Sequence, residues 1–238
     1  MEPTILDGLR ERVAPRHTAL LIVDMQKDFC VDGMATAGTG RDLSRTKAIV
    51  PDLVRLRDAA REAGVLVVHI GFLTLPQHLS DGAAWLAQRR RAPYANESIA
   101  LEGSEGGEFI EELRPVQGEV VVHKHRYSGF TGTNLDVILR AREVRTCVVT
   151  GISTNVCVES TLRAAFELGY YIVVPRSATA SWSRELGEAT LANVTHRFGL
   201  VPTVEEIMDA WRAAIAPTGG ALSKAMAARK CSSWTITR

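Results

Sequence analysis

Short β-branched apolar runs recur along the chain at regular intervals. TALLIVDM, residues 18–25, has no polar alternation and reads as a strand buried on both faces. Similar runs follow at 65–72 (VLVVHIGF), 119–124 (EVVVHK), 146–152 (TCVVTGI) and 170–175 (YYIVVP), and GLVPTVEEI at 199–207 offers a short sixth. Between them lie helical periods. Residues 44–63 place Ile49, Leu53, Leu56 and Ala60 on one face, and Gly64 supplies a stop. Further helical patterns span 134–142, with Thr133 or Asn134 as N-cap, then 156–168 ended by Gly169, 185–198 and 204–215. Strand and helix in alternation predict the α/β class. The expectation is a three-layer α/β/α domain over residues 1–216, with a mostly parallel sheet of about six strands and right-handed crossovers.

Two stretches fall outside this rhythm. Residues 73–118 are long and polar, with a short helix predicted around 82–91 and another at 108–113. An excursion of that length is expected to form a lid or a subunit contact. Residues 217–238 form a tail of Gly, Ser, Ala and scattered charge, read as disordered in part or as extending a helix through 221–230.

Composition narrows the classes without choosing among them. Hydrophobic residues are 46% and charged residues 23%, enough for a sizeable core. A formal net charge of +1 advertises neither nucleic acid nor an anionic membrane as partner. Arg89, Arg90 and Arg91 form a basic run, read as a solvated face. The cysteines, Cys30, Cys147, Cys157 and Cys231, make no CxxC and no metal-ligand spacing, so reduced thiols and a cytoplasmic setting are expected. The N-terminus has no apolar core behind a basic start, and no apolar run approaches the roughly 20 residues of a membrane span.

In open parallel sheets, ligands bind beyond the carboxyl ends of the strands. Three chemically useful residues fall there. Asp24 closes the first strand, Lys124 closes the third, and Cys157 follows the fourth at the start of a helix. Unpaired N–H groups and the helix dipole would favour the Cys157 thiolate, and the same N–H groups could hold an oxyanion. Lys124 would add opposite charge, and Asp24 could shuttle the thiol proton. Taken singly, each also reads as ordinary structure: a buried cysteine, a lysine reaching solvent, an aspartate capping a turn. Cys30, Cys147 and Cys231 read as structural, and His69, inside a strand, as a satisfied core histidine.

LLIVDMQKDF, HKHRYSGFTGTNLDVILRARE and TGISTNVCVESTLRAAFELGY together resemble the isochorismatase-like cysteine hydrolases, a Rossmann-like fold, over about residues 18–211. The resemblance implies Asp24, Lys124 and Cys157 as catalytic residues. It also implies a cis Ile152–Ser153 peptide and an oxyanion hole from the Ser153 and Cys157 N–H groups. RYSGF, TNLD and TNVCVEST look closest to the ureidoacrylate amidohydrolase and biuret hydrolase branch. That implies a small linear amide, ureido or carbamoyl substrate, hydrolysis of its C–N bond through an acyl- or carbamoyl-cysteine with release of ammonia or an amine, and a homo-oligomer, dimer or tetramer. Phe29, Tyr127, Phe130 and Asn155 are candidate pocket residues. One departure stands out: the branch commonly carries EDAT after the fifth strand, where this chain reads RSATASWS, with Arg176, Ser177 and Trp182. The Asp-x-His pair of the metal-binding nicotinamidases is missing, so no metal and no cofactor are expected. Hydrolysis of a lactam or simple carboxamide, or a catalytically silent binding or assembly protein, are the competing expectations.

Overall fold

A computed structural model describes residues 4–91 and 96–216; the predicted tail and its helix lie outside them. Its sheet is parallel throughout, with strands β1 (Thr18–Val23), β2 (Leu66–Phe72), β3 (Val120–Lys124), β4 (Thr146–Ile152), β5 (Tyr171–Val173), β6 (Thr179–Ala180) and β7 (Gly199–Leu200). The order is β3-β2-β1-β4-β5-β7, and β6 pairs with the end of β4. That makes seven strands rather than about six. The addition is the two-residue β6, too short to leave a period in the sequence.

The chain leaves β1 toward β2 and β3, then crosses back to β4. The order of winding therefore reverses between β1 and β4, the kind of crevice where open α/β sheets bind ligands. β1 is buried at every position because it feeds two cores. Leu20 and Ile22 face one core, with Leu53 and Leu56 of α1 (Val50–Ala63) and Ile207 and Trp211 of the last helix, Val204–Ile215. Ala19, Leu21 and Val23 face the other, with Leu135, Leu139 and Leu162. Two-sided burial explains the unbroken apolar run. β3 lies at the sheet's edge and is half-exposed along its length, with only Val122 and Lys124 buried.

Several elements differ from expectation at their ends. The 44–63 helix is two helices, Ser44–Ala48 and α1, with Pro51 in the first turn of α1, where its missing N–H costs nothing. The 82–91 helix is present as α2 (Ala83–Arg91), but 108–113 holds only the single turn Glu111–Leu113, after another at Glu105–Gly107. The 156–168 helix begins as a wide turn, Thr154–Val158, before α3 (Glu159–Glu167). The 185–198 pattern likewise splits into α4 (Arg184–Asn193) and a wide turn, Val194–Phe198. Among the described residues no helix is long and apolar enough to cross a membrane.

Gly151, opposite Val23 in the β1–β4 ladder, sets how closely these strands approach. Its φ is +96°, and a Cβ there would lie 2.7 Å from the Val23 nitrogen and nearer still to its carbonyl oxygen. Neither the backbone nor the neighbouring strand can yield cheaply. Gly151→Ala is therefore expected to lower unfolding free energy by about 3 kcal/mol or more, read from urea denaturation. A loss below ~1 kcal/mol would show that the two strand ends can separate without cost.

Candidate active site

Asp24 follows β1 and turns the chain with a left-handed φ of +52°, a conformation aspartate tolerates better than most residues. Its N–H donates to the Ile70 carbonyl at 2.8 Å, tying the turn to β2. Lys124 ends β3, two strands away, level with Phe72 in the ladder. Its side chain crosses the end of β2 with Nζ 5.1 Å above the Phe72 ring and donates to Asp24 Oδ2 at 2.8 Å. Both side chains are out of water: Lys124 is 0% exposed and Asp24 2%.

Gln26 holds the same strand end. Its side-chain nitrogen donates to the carbonyls of Phe72 at 2.9 Å and Gly107 at 2.7 Å, and its oxygen accepts the Phe72 N–H at 2.7 Å. Fully buried, it works as a third strand partner for β2 and was not singled out from sequence. The signal was available, since an amide in an apolar setting must find partners.

The turn bearing Cys157 is pinned from β6. Thr179 Oγ1 donates to the Gly151 carbonyl at 2.9 Å, so the Thr154 hydroxyl must donate to Thr179, also at 2.9 Å. The Asn155 side-chain oxygen accepts from Ser153 Oγ at 2.9 Å and Ser181 Oγ at 2.6 Å. Thr161 donates to the Cys157 carbonyl at 2.7 Å and accepts the Gly129 N–H at 2.9 Å. The Ile152–Ser153 peptide is cis. The segment after the fifth strand thus fastens the cysteine turn through Thr179 and Ser181, whereas Arg176, one of its departures from the branch pattern, pairs with the exposed Glu188 instead.

Cys157, Asp24 and Lys124 come together, and each shifts the others' proton affinity. Burial raises the Asp24 pKa above the usual aspartate range, with Lys124 pulling the other way. Burial alone would depress Lys124, but Asp24 and the Cys157 sulfur outweigh it and hold the ammonium above its ordinary value. For Cys157, burial and then the Asp24 carboxylate drive the thiol upward against Lys124. Burial and the carboxylate thus oppose the thiolate-favouring effect expected of a helix start. Asp24 Oδ1 is buried with no nitrogen or oxygen donor on it among the described residues, and the Cys157 thiol is the carboxylate's other partner beside Lys124.

Cys157 and Asp24 line a cavity of about 540 Å³, and Lys124 reaches it only through its bond to Asp24. Of the candidate pocket residues, Phe29, Tyr127 and Asn155 line it, as do Ser153 and Ile152. Phe130 does not. It packs on the core behind β4, with its ring 6.1 Å from that of Tyr170. The excursion after β2 contributes Trp85, Gln88, Arg89, Asn96 and Ile99 to the wall, and so forms part of the pocket. Arg89 corrects the reading of the basic run. It is 7% exposed, and it donates to Thr74 Oγ1 at 3.2 Å and the Asn96 carbonyl at 2.5 Å, while Arg90 and Arg91 are exposed. Trp182 lines the cavity beneath the Arg41 guanidinium, 4.6 Å from its ring centroid. His69 is buried in β2 with Nε2 3.0 Å from Glu119. Among the described residues no three His, Cys, Asp or Glu side chains are grouped to hold a metal ion.

The Lys124–Asp24 pair makes a direct prediction. Removing one partner strands the other charge in a dry site, which costs about 3–5 kcal/mol. Lys124→Met and Asp24→Asn should each destabilise by that order, and the double variant by clearly less than the sum. Additive losses in a denaturation cycle would mean that the two groups do not depend on each other.

With this geometry in place, comparison with known proteins gives a consistent picture. The isochorismatase domain profile matches residues 18–206. The chain is 36% identical over 207 residues to "Ureidoacrylate amidohydrolase RutB" of Enterobacter sp. (strain 638), covering 83% of this chain and 90% of that protein. A protein of the same name from Agrobacterium fabrum is 36% identical over 81% of this chain and 89% of its own length. Among solved structures, a cysteine hydrolase from Pseudomonas syringae pv. phaseolicola 1448A superposes with a TM-score of 0.77 at 30% identity, over 90% of this chain and 100% of that one. The chain belongs to the isochorismatase domain family and is a hydrolase of that family.

Proposed function

We propose that the protein is a cysteine amidohydrolase that cleaves the C–N bond of a small amide, ureido or carbamoyl compound through a covalent acyl- or carbamoyl-cysteine. One observation carries the reading: a thiol and a carboxylate in hydrogen-bond contact line one cavity, and an ammonium from a third distant segment is bonded to that carboxylate. The names borne by the relatives, amidohydrolase and cysteine hydrolase, support the same chemistry.

Asp24 takes the Cys157 proton on Oδ1 as the sulfur attacks the carbonyl carbon, so thiolate forms only as it is consumed. Lys124 stays an ammonium throughout and fixes the other oxygen. The developing oxyanion is held by the N–H groups of Ser153 and Cys157, each donor worth about 3 kcal/mol of barrier. Collapse breaks the C–N bond as Asp24 passes its proton to the departing nitrogen, releasing ammonia or an amine. Water then attacks the acyl- or carbamoyl-sulfur bond. Asp24 accepts the proton of that water and returns it to the leaving sulfur, restoring the thiol.

An ammonia-release screen over linear ureides and primary amides tests the reaction class. Cys157→Ala should lose activity by ~10³-fold or more while keeping its unfolding midpoint. Near-normal turnover by that variant would remove the nucleophile assignment. The sign of the pH effect follows from Asp24. A base with a raised pKa must lose its proton to act, so kcat/KM should climb with pH along an acid limb lying above the ordinary aspartate value of 3.8. A limb at or below that value would mean that another group is the base.

A further inference from the structure

The cavity's floor is set for one carbonyl carbon, yet its volume falls in the range of about 300–1,000 Å³ that takes drug-sized ligands. Its walls are unusual for a site handling only a short polar chain. Phe72, Trp85 and Tyr127 make one continuous aromatic surface: the Trp85 and Tyr127 ring centroids are 4.7 Å apart, and those of Phe72 and Trp85 are 6.3 Å apart. Trp182, from the loop after β6, adds a second surface. Both tryptophans keep their indole N–H buried without a partner among the described residues, so the wall is short of acceptors.

Arg89 supplies fixed positive charge in that wall. Thr74, Asp81 and Asn96, from three separate stretches of chain, hold its head, with Asp81 at 3.6 Å. Asp81 is itself shared with His78, whose Nδ1 lies 3.1 Å away. The head is buried, its carboxylate partner stands at 3.6 Å, and burial depresses the Arg89 pKa despite Asp81 and Glu97. An anion brought into the cavity would meet a guanidinium that is already oriented and already stripped of water, the arrangement in which a charge-assisted bond is strongest.

Resting on the amidohydrolase reading above, we infer that the substrate is a planar, ring-bearing amide or ureide with a carboxylate remote from the scissile bond, its ring against the Trp85–Tyr127 surface and its carboxylate on Arg89. A flat conjugated body gains most from such walls, since stacking adds to area burial. The remote charge gains an ion pair without the cost of ordering a flexible arginine.

Three probes separate ring from charge: 4-carbamoylbenzoate has both, benzamide only the ring, and N-carbamoylglycine only the charge. For the wild-type enzyme, 4-carbamoylbenzoate should exceed each of the others in kcat/KM by about tenfold or more, the worth of one charge-assisted bond or one stacked ring. Cys157→Ala protein should bind 4-carbamoylbenzoate about tenfold more tightly than benzamide by calorimetry. Arg89→Gln should cut the 4-carbamoylbenzoate-to-benzamide ratio to about threefold or less, and Arg89→Lys should restore part of it. Should Arg89→Gln fail to fold, the wild-type and Cys157→Ala comparisons decide alone. Binding and turnover within about threefold across the probes, or N-carbamoylglycine as the best substrate, would overturn the inference and leave the amidohydrolase reading standing. The expected binding order with no ammonia released from any probe would do the reverse.

Discussion

A lysine ammonium and an aspartate carboxylate meet 2.8 Å apart, the lysine fully buried and the aspartate nearly so. Each would cost several kcal/mol to bury alone, and each is tolerable only because the other is there. The two sit on strands separated by β2, so the contact exists only if three strand ends come level. The ladder does this by pairing Val23 with Ile70 and Phe72 with Lys124. A slip of one residue would turn Lys124 to the opposite face and leave Asp24 facing nothing. The pair is thus a demand on sheet register as well as a feature of the site, and Gln26, bonded to both backbone groups of Phe72, enforces the same alignment.

The same groups act on the sulfur, which is half-buried at the cavity wall. A helix start and a nearby ammonium favour thiolate, whereas burial and a carboxylate favour thiol, and here the second pair prevails. Under the proposed mechanism that balance is useful. A standing thiolate would react with whatever enters, but a thiol that gives its proton to Asp24 becomes nucleophilic only as the carbonyl and its oxyanion donors are in place. Burial weakens the nucleophile and strengthens the base at once, because it raises the Asp24 pKa as well as that of the thiol.

Legibility in the sequence followed the range of the interactions involved. Asp24, Lys124 and Cys157 were readable because each ends a run whose period betrays a buried strand or opens a helix, and parallel sheets gather such ends. The strand core and most helices were readable for the same reason. Arg89 was not. Its burial depends on Thr74, Asp81 and Asn96, none of them adjacent, and α2 carries no apolar stripe to show which side faces inward. Phe130 failed in the opposite way. It stands three residues from Tyr127 in the same loop, but the loop turns between them, sending Tyr127 to the cavity and Phe130 to the core against Tyr170. β6 is two residues long and is defined by its partner, not by any pattern of its own.

The two walls of the cavity stand in different relations to the chemistry. Trp85 and Arg89 ride on the excursion after β2, which meets the strand ends through the Thr74–Leu101 and Gln26–Phe109 bridges and through Asp28, whose carboxylate accepts the Ala100 N–H. Neither residue has a hydrogen bond to the cysteine turn, so that wall can change what binds while leaving the reacting groups as they are. The Trp182 wall has no such freedom. Ser181 beside it is bonded to Asn155, and Thr179 just before it to Gly151 and Thr154, so the segment that shapes substrate also holds the turn that carries the sulfur. Selectivity written into residues 85–89 can be altered independently of rate, whereas any change at 179–182 reaches both, because one set of hydroxyl hydrogen bonds serves the pocket and the cysteine turn together.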